Sequence, residues 1–230
     1  MDALAALEAD VVACRACPRL VAWRQQVAVE KRAAFRGQEY WARPVPGFGD
    51  PGARVAVVGL APAAHGANRT GRMFTGDRSG QFLYAALWRT GFANQPTSVS
   101  RDDGLRLDGA WVTAPVRCAP PANRPTPAER DRCRPFLQRE LELLGGLKVL
   151  VALGRFAYEV LWGIVGGGRR VPFGHGVEVE LPDGRSLLGS YHVSQQNTFT
   201  GRLTEAMFDE VLLHARRRAG LPPVGAGEGG

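Results

Sequence analysis

An aromatic side chain and a carboxylate stand three positions apart at the end of a glycine-rich segment, residues 59–77, GLAPAAHGANRTGRMFTGD. The ring of Phe74 offers a plane on which a flat ligand such as a base can stack. The carboxylate of Asp77 can orient a water molecule or face a developing positive charge. The simpler alternatives are that Phe74 packs in the core and that Asp77 caps the next helix. The segment lacks the lysine of a P-loop, which argues against a nucleotide-phosphate site. It also lacks the G-x-G-x-x-G pattern, which argues against a dinucleotide site.

Two further polar segments also follow predicted strands. His192 opens HVSQQNTFTGRLT, residues 192–204, and Asn123 lies between prolines in TAPVRCAPPANRPTP, residues 113–127. A single histidine at a strand end is often only a hydrogen-bonded structural residue. Because open α/β folds bind ligands at the carboxyl ends of their strands, we expect the three segments to meet at one edge of the sheet. The candidate pocket residues are Phe74, Asp77, Asn123 and His192.

The four cysteines form a separate constellation. Cys14 and Cys17 make a C-x-x-C pair, whereas Cys118 and Cys133 lie about a hundred positions further along the chain. Two close thiolates can bind one side of a metal centre and two distant ones can complete it, which suits a structural zinc or an iron–sulfur cluster. The spacing leaves zinc, a cluster and unliganded buried cysteines open. A metal centre would staple the N-terminal helices to residues 118–133.

Short apolar runs rich in β-branched residues alternate with helical patterns along the chain. Strands are predicted at 54–59, 110–116, 148–153, 177–181 and 187–192. Helices are predicted at 4–13, 20–33, 79–89, 127–144, 155–162 and 201–218. This alternation favours a single three-layer α/β/α sandwich with a central, mostly parallel sheet. We assign residues 1–220 to this domain and 221–230 to a disordered tail, with an irregular loop at 42–53.

The helix predicted at 127–144 carries the clearest local signals. Thr126, Pro127 and Glu129 form the pattern of a capping box. Pro135 fits poorly inside that helix, so the sequence predicts a kink or a later start.

Composition limits the possible classes of protein. The chain has 230 residues, 45% of them hydrophobic, and a formal net charge of +7. Lys31 and Lys148 are the only lysines, so the excess charge comes from arginine. A basic surface indicates a polyanionic partner such as nucleic acid, or serves only solubility. With no secretory signal and no apolar run of membrane-spanning length, we expect a cytoplasmic monomer with reduced cysteines and no membrane partner.

Together these motifs resemble the family 5 uracil-DNA glycosylases, the broad-specificity branch found in bacteria and archaea. The resemblance runs from Cys14 to Arg218 and includes CRACPRLVAWR at 14–24, YWARPVPGFGDP at 40–51 and the three polar segments. It implies an α/β/α glycosylase that excises uracil from DNA in base excision repair. It also implies a structural [4Fe-4S] cluster on the four cysteines named above.

The resemblance further implies roles for individual residues. Phe74 stacks on the flipped base, His192 lies beside the base's leaving edge, and the loop after His192 enters the minor groove. Related families carry a polar residue where this chain has Leu60, so Asp77 takes over the activation of water by analogy. Asn123 helps to orient the base or the water. Related families also place an asparagine where Ala114 or Pro115 stands here, and its loss implies activity on hypoxanthine and xanthine as well.

Contacts to the base and to DNA are assigned to residues around these segments. Backbone groups of Gly59, Leu60 and Ala61 are expected to bind the base. The arginines that flank the site are expected to bind phosphates, and Thr198 and Phe199 to form a wedge in the DNA. These arginines are Arg69, Arg72, Arg124 and Arg202. Two other functions stay open, namely a metal-stapled DNA-binding protein without catalysis and a nucleoside hydrolase.

Overall fold

A central sheet of six strands organises the computed structural model, which describes residues 3–225. The strands are β1 (Phe48–Gly49), β2 (Val55–Val58), β3 (Ala110–Thr113), β4 (Val149–Leu153), β5 (Glu178–Glu180) and β6 (Ser186–Ser190). Their spatial order is β1-β3-β2-β4-β6-β5. The four inner strands are parallel, and the two edge strands β1 and β5 pair antiparallel. The predicted, mostly parallel sheet is therefore confirmed.

Eight α-helices are found in the part of the chain that the structure describes. They are α1 (Ala3–Ala13), α2 (Pro18–Glu30), α3 (Ala67–Thr70), α4 (Arg78–Arg89), α5 (Pro127–Leu143), α6 (Arg155–Val165), α7 (Gln195–Phe199) and α8 (Glu205–Arg218). Short 3-10 turns form at Ala33–Phe35 and Pro121–Asn123.

Alternating side chains of the strands build two separate cores. In β2, Val55 and Val57 pack in a core with α4 and α8, whereas Ala56 and Val58 pack in a second core with α5 and α6. This follows from the two-residue period of a strand, since successive side chains point to opposite faces. Covering both faces with helices is typical of parallel sheets and gives the predicted three-layer sandwich.

The helix boundaries show where local signals succeeded and failed. Thr126 and Glu129 form the predicted capping box at the start of α5. Pro135 nevertheless lies inside α5, which begins at Pro127, so the predicted later start is wrong. The last helix begins at Glu205 rather than 201, because Thr204 caps it by accepting from the Met207 amide and Gly201 adopts a left-handed φ of 70°.

The ends of the chain are only partly described. Leu221 packs against the core beside α4 and α8, so the packed body reaches at least this residue of the predicted tail. Residues 226–230 of that tail lie outside the described residues. No helix in residues 3–225 combines the length and the apolar character needed to cross a membrane.

Candidate active site

The three polar segments meet at the carboxyl edge of the sheet, as predicted. Each begins within two residues of the end of a strand, namely β2, β3 or β6. The Gly59 amide donates to the Thr113 carbonyl at 2.8 Å, which joins the first segment to the third. The Gly154 amide donates to the Ser190 carbonyl at 2.8 Å, which holds the start of α6 beside the strand that leads into His192.

Asp77 both caps a helix and faces a cleft. Its Oδ1 accepts from the Gly80 amide at 2.8 Å at the start of α4, so the capping alternative is correct. Burial raises the pKa of the Asp77 carboxyl, opposed by the amides of Gly80 and Ser79 and by the charge of Arg69. The second oxygen, Oδ2, lies against Gly66, where a Cβ would stand only 2.0 Å away. A carboxylate that is held rigidly and partly desolvated is well placed to orient water.

Asp77 and Asn123 line the same cleft. Asn123 is exposed and left-handed, with a φ of 55°, at the end of the 3-10 turn. The cleft is also lined by residues that the sequence reasoning did not single out, namely Arg32, His65, Arg78, Ser79, Ser194, Gln195 and Gln196. Ser194, Gln195 and Gln196 lie in the polar segment after His192, and Arg78 directly follows Asp77. These four residues could have been predicted from their position next to a candidate residue.

His192 lies beside Phe74 rather than on the wall that Asp77 lines. The two rings are 6.2 Å apart between centroids, with an interplanar angle of 37°. Although the residue keeps some accessible surface, burial of the ring lowers the pKa of His192 to about 4. The side-chain amide of Asn197 donates to the His192 carbonyl at 2.8 Å and fixes the backbone. His192 is thus a neutral imidazole near neutral pH.

Phe74 occupies a strained backbone position at the centre of this group. It is a non-glycine residue with a φ of 52°, a conformation that costs roughly 1–3 kcal/mol and is retained mostly at functional sites. Its ring lies so close to Gly59 that a Cβ there would stand 2.4 Å from Phe74 Cζ. The ring is half-buried and also packs against the core of α4 and α8, so the packing alternative is correct in part.

The backbone of the first segment only partly fits the predicted base contacts. The Gly59 amide donates to the Thr113 carbonyl, so of its two backbone groups only the carbonyl is left for the predicted contact with a base. Leu60 and Ala61 keep partial exposure at the same edge, so their contact with a base stays a prediction.

Arg69 is a structural residue, and its predicted contact with DNA is wrong. Its guanidinium donates to the carbonyls of His65 and Gly76 and to Gln38 Oε1, at distances of 2.6 to 2.9 Å. It also lies 4.0 Å from the ring centroid of Phe35. With 9% of its surface exposed, Arg69 braces the loop that carries Asp77.

Arg72 is likewise buried, which corrects the second predicted phosphate contact. It pairs with Asp103 at 2.7 Å and donates to Ser98 Oγ and Thr75 Oγ1 at 2.8 and 2.9 Å. Only 4% of its surface is exposed. Burial among these partners keeps the guanidinium away from the surface, where a phosphate would have to bind.

The remaining predicted DNA contacts lie on the surface. Arg124 and Arg202 are exposed, and the Arg202 guanidinium lies 4.7 Å from the ring centroid of Tyr191. Phe199, at the end of α7, is 66% exposed, and the guanidinium of Arg78 lies 5.2 Å from its ring centroid. Thr198 Oγ1 donates back to the Ser194 carbonyl at 3.3 Å, so its hydroxyl caps a turn within α7.

The four cysteines line one small cavity between α2, α5 and the third polar segment. None of them forms a disulfide. Arg24 Nη1 lies 3.2 Å from Cys118 Sγ, and the Arg117 amide lies 3.3 Å from Cys133 Sγ. Burial raises the pKa of Cys118 to about 12 and that of Cys133 to about 11. Within residues 3–225, no three cysteine, histidine or acidic side chains converge at the spacing that a single metal ion requires.

Comparison with known proteins identifies relatives over nearly the whole chain. The profile of the Uracil DNA glycosylase superfamily matches residues 46–216. The type-5 uracil-DNA glycosylase of Thermus thermophilus is 58% identical over 212 residues, covering 92% of this chain and 96% of the relative. That of Mycobacterium tuberculosis is 57% identical over 218 residues, covering 94% and 81%. The type-4 uracil-DNA glycosylase of Archaeoglobus fulgidus is 33% identical over 121 residues, covering 52% and 53%.

Proposed function

Because the chain belongs to the uracil DNA glycosylase superfamily, and within it to the type-5 enzymes, we propose that it excises uracil from DNA in base excision repair. The enzyme is a hydrolytic glycosylase that breaks the bond between the deoxyribose C1′ and the base. The observation that carries the proposal is the grouping of a desolvated carboxylate, a neutral imidazole and an aromatic ring at one edge of the sheet.

Cleavage of the glycosidic bond develops positive charge on the sugar and negative charge on the base. Asp77 would stabilise the sugar cation and orient the water whose oxygen bonds to C1′. His192 would donate a hydrogen bond to a carbonyl oxygen of the leaving base. Since its pKa is about 4, the imidazole is neutral and can donate without giving up a proton at neutral pH. Asn123, on the wall that Asp77 lines, would help to hold the base or the water.

Phe74 would hold the extruded base by stacking. Extrusion costs a few kcal/mol, least for a mispaired base, and stacking on an aromatic ring returns roughly 1–3 kcal/mol. The left-handed backbone of Phe74 and the missing side chain at Gly59 support this role, because together they fix the ring at the edge of the sheet. Exposed Arg124 and Arg202 and the exposed ring of Phe199 would hold the DNA around the site.

A broader range of bases is part of the proposal. The residue after Gly59 is Leu60, and Ala114 and Pro115 directly follow β3. None of these three residues has a side-chain amide or carboxyl group that could form hydrogen bonds with the edge of uracil. A site that relies on stacking and on a single imidazole donor discriminates weakly between planar bases. We therefore propose that hypoxanthine and xanthine are excised as well.

The cysteine cavity would hold a structural [4Fe-4S] cluster. Four thiols around one cavity, with N–H groups aimed at Cys118 and Cys133, support this assignment. Through Cys17 and Cys133, the cluster would hold the start of α2 against α5. The same proposal places the protein in the reducing cytoplasm, and a monomer stays a prediction.

Release of free uracil from a synthetic duplex tests the function. We expect wild type to leave an intact strand with an abasic site and Asp77→Asn to lose nearly all activity. Absence of release by wild type would overturn the proposal. Equal affinity for damaged and undamaged DNA without release would indicate a non-catalytic DNA-binding protein, and turnover of free deoxyuridine would indicate a nucleoside hydrolase.

A further inference from the structure

Two exposed arginines near His192 are held by aromatic rings instead of carboxylates. The guanidinium of Arg202 lies 4.7 Å from the ring centroid of Tyr191, and that of Arg155 lies 5.9 Å from the centroid of Phe173. In the described part of the chain, neither side chain forms an ion pair or a hydrogen bond. A guanidinium stacked on a ring keeps its N–H groups at the edge, where they can donate to a phosphate.

The two rings belong to one aromatic group. Phe173 and Tyr191 meet edge to face with centroids 6.5 Å apart, and His175 stacks on Tyr191 at 5.0 Å. The rings therefore fix both arginines on a single platform. The arrangement reduces the side-chain entropy that each arginine would lose on binding a ligand.

This platform adjoins the candidate active site on a different flank from the cleft of Asp77. Tyr191 directly precedes His192 in the chain. Gly154 directly precedes Arg155 and lies so near His192 that a Cβ there would stand 3.2 Å from His192 Cβ. None of the platform residues lines the cleft that contains Asp77 and Asn123.

We propose that Arg202, assigned to DNA contacts above, acts together with Arg155, Phe173 and Tyr191 as one DNA-binding surface, the arginine–aromatic surface. It binds backbone phosphates on one side of the extruded nucleotide, whose base lies against Phe74 and His192 and whose sugar faces Asp77. DNA is favoured as the occupant because two unpaired cations lie beside the site where its base is held, on a chain with a net charge of +7. The proposal rests on the proposed function.

Dissociation constants for a full-length duplex and for two shortened duplexes test this surface. The probe is a duplex with a central 2′-fluoro-2′-deoxyuridine, whose glycosidic bond resists hydrolysis. We expect Arg155→Ala/Arg202→Ala to raise Kd on the order of tenfold and to reduce the slope of log K against log salt by about 1.8, from ~0.9 for each lost phosphate contact. Two shortened duplexes, each truncated on one side of the analogue, should separate the flanks. The variant should match wild type on one of them and remain weaker on the other.

Arg139→Ala/Arg170→Ala is the matched control. Both arginines are half-exposed, but each pairs with a carboxylate, Arg139 with Asp10 and Arg170 with Glu159. The control removes the same charge and should bind all three duplexes nearly as wild type does. Equal weakening in the control, an unchanged Kd in the test variant, or the same defect on both shortened duplexes would overturn the surface. Uracil release by wild type, measured in parallel, tests the proposed function separately from these binding results.

Discussion

The carboxylate of Asp77 lies directly against the α-carbon of Gly66, where a methyl group would stand 2.0 Å from Oδ2. Gly66→Ala should therefore displace Asp77 and slow uracil excision by about 10²–10⁴-fold, the usual worth of a positioned acid or base. Single-turnover excision measures the effect. Gly145→Ala is the control, because no atom lies within 4 Å of a Cβ at that position. Full activity in Gly66→Ala would show that the position of Asp77 does not matter.

The two duties of Asp77 can be separated by substitution. Asp77→Asn keeps an oxygen that can accept from the Gly80 amide, whereas Asp77→Ala removes the cap of α4. Both variants should lose excision activity, but only Asp77→Ala should lose about 1 kcal/mol of unfolding free energy. Urea denaturation and single-turnover kinetics measure the two effects. If Asp77→Asn remains active, Asp77 only caps α4 and takes no part in the reaction.

The pH dependence of excision should follow Asp77 alone. The reaction needs the ionised carboxylate, and burial raises its pKa, so the rate should fall with decreasing pH through a value above that of an ordinary aspartate, about 3.9. His192, with a pKa of about 4, stays neutral above that pH and should add no inflection near 6.5. Single-turnover rates between pH 4.5 and 8 check this. An inflection near 6.5 that disappears in His192→Gln would mean that the imidazole titrates at its ordinary pKa and is not kept neutral by burial.

Much of the fold follows from periodicity that is visible in the sequence. The buried strands β2, β3 and β4 are apolar runs between helical patterns, and the prediction located each within two or three residues of its ends. β1 was missed because it is only two residues long, which is too short to show an alternating pattern, and its one partner strand is β3. The short helices α3 and α7 were missed because one or two turns carry no amphipathic period.

The site was harder to predict where long side chains were involved. Strand ends define the edge at which the three polar segments meet, and this edge was predicted. Asp77 and Asn123 line one cleft there and Phe74 lies beside His192, so a single site made of all four residues stays a prediction. Arg69 and Arg72 looked like surface cations in a polar segment but are buried by partners 26 to 31 positions away, such as Asp103 and Gln38. Such distant partners leave no trace in local sequence.

The cysteines should bind iron. Purified protein is expected to be brown, with broad absorbance in the near-visible and four iron atoms per chain. Cys17→Ser should lose this colour and lower the melting temperature, because the staple between α2 and α5 is broken, while excision by the folded fraction should change little. Metal analysis and thermal denaturation check both effects. A colourless protein with one zinc would replace the cluster, and a variant that keeps four irons would exclude Cys17 as a ligand.

The exposed ring of Phe199 should matter only when the DNA is double-stranded. It is 66% exposed at the end of α7, on the segment that follows His192, where a wedge can fill the gap left by an extruded base. Phe199→Ala should lose roughly 1–3 kcal/mol of stacking on duplex DNA, about 5- to 150-fold in kcat/KM, and little on single-stranded DNA, which has no opposing strand to hold apart. Val29→Ala removes another exposed apolar side chain, 83% exposed on α2, and should affect neither substrate. An equal loss on single-stranded and duplex DNA would make Phe199 a general strand contact, because a wedge acts on the base stack of a duplex.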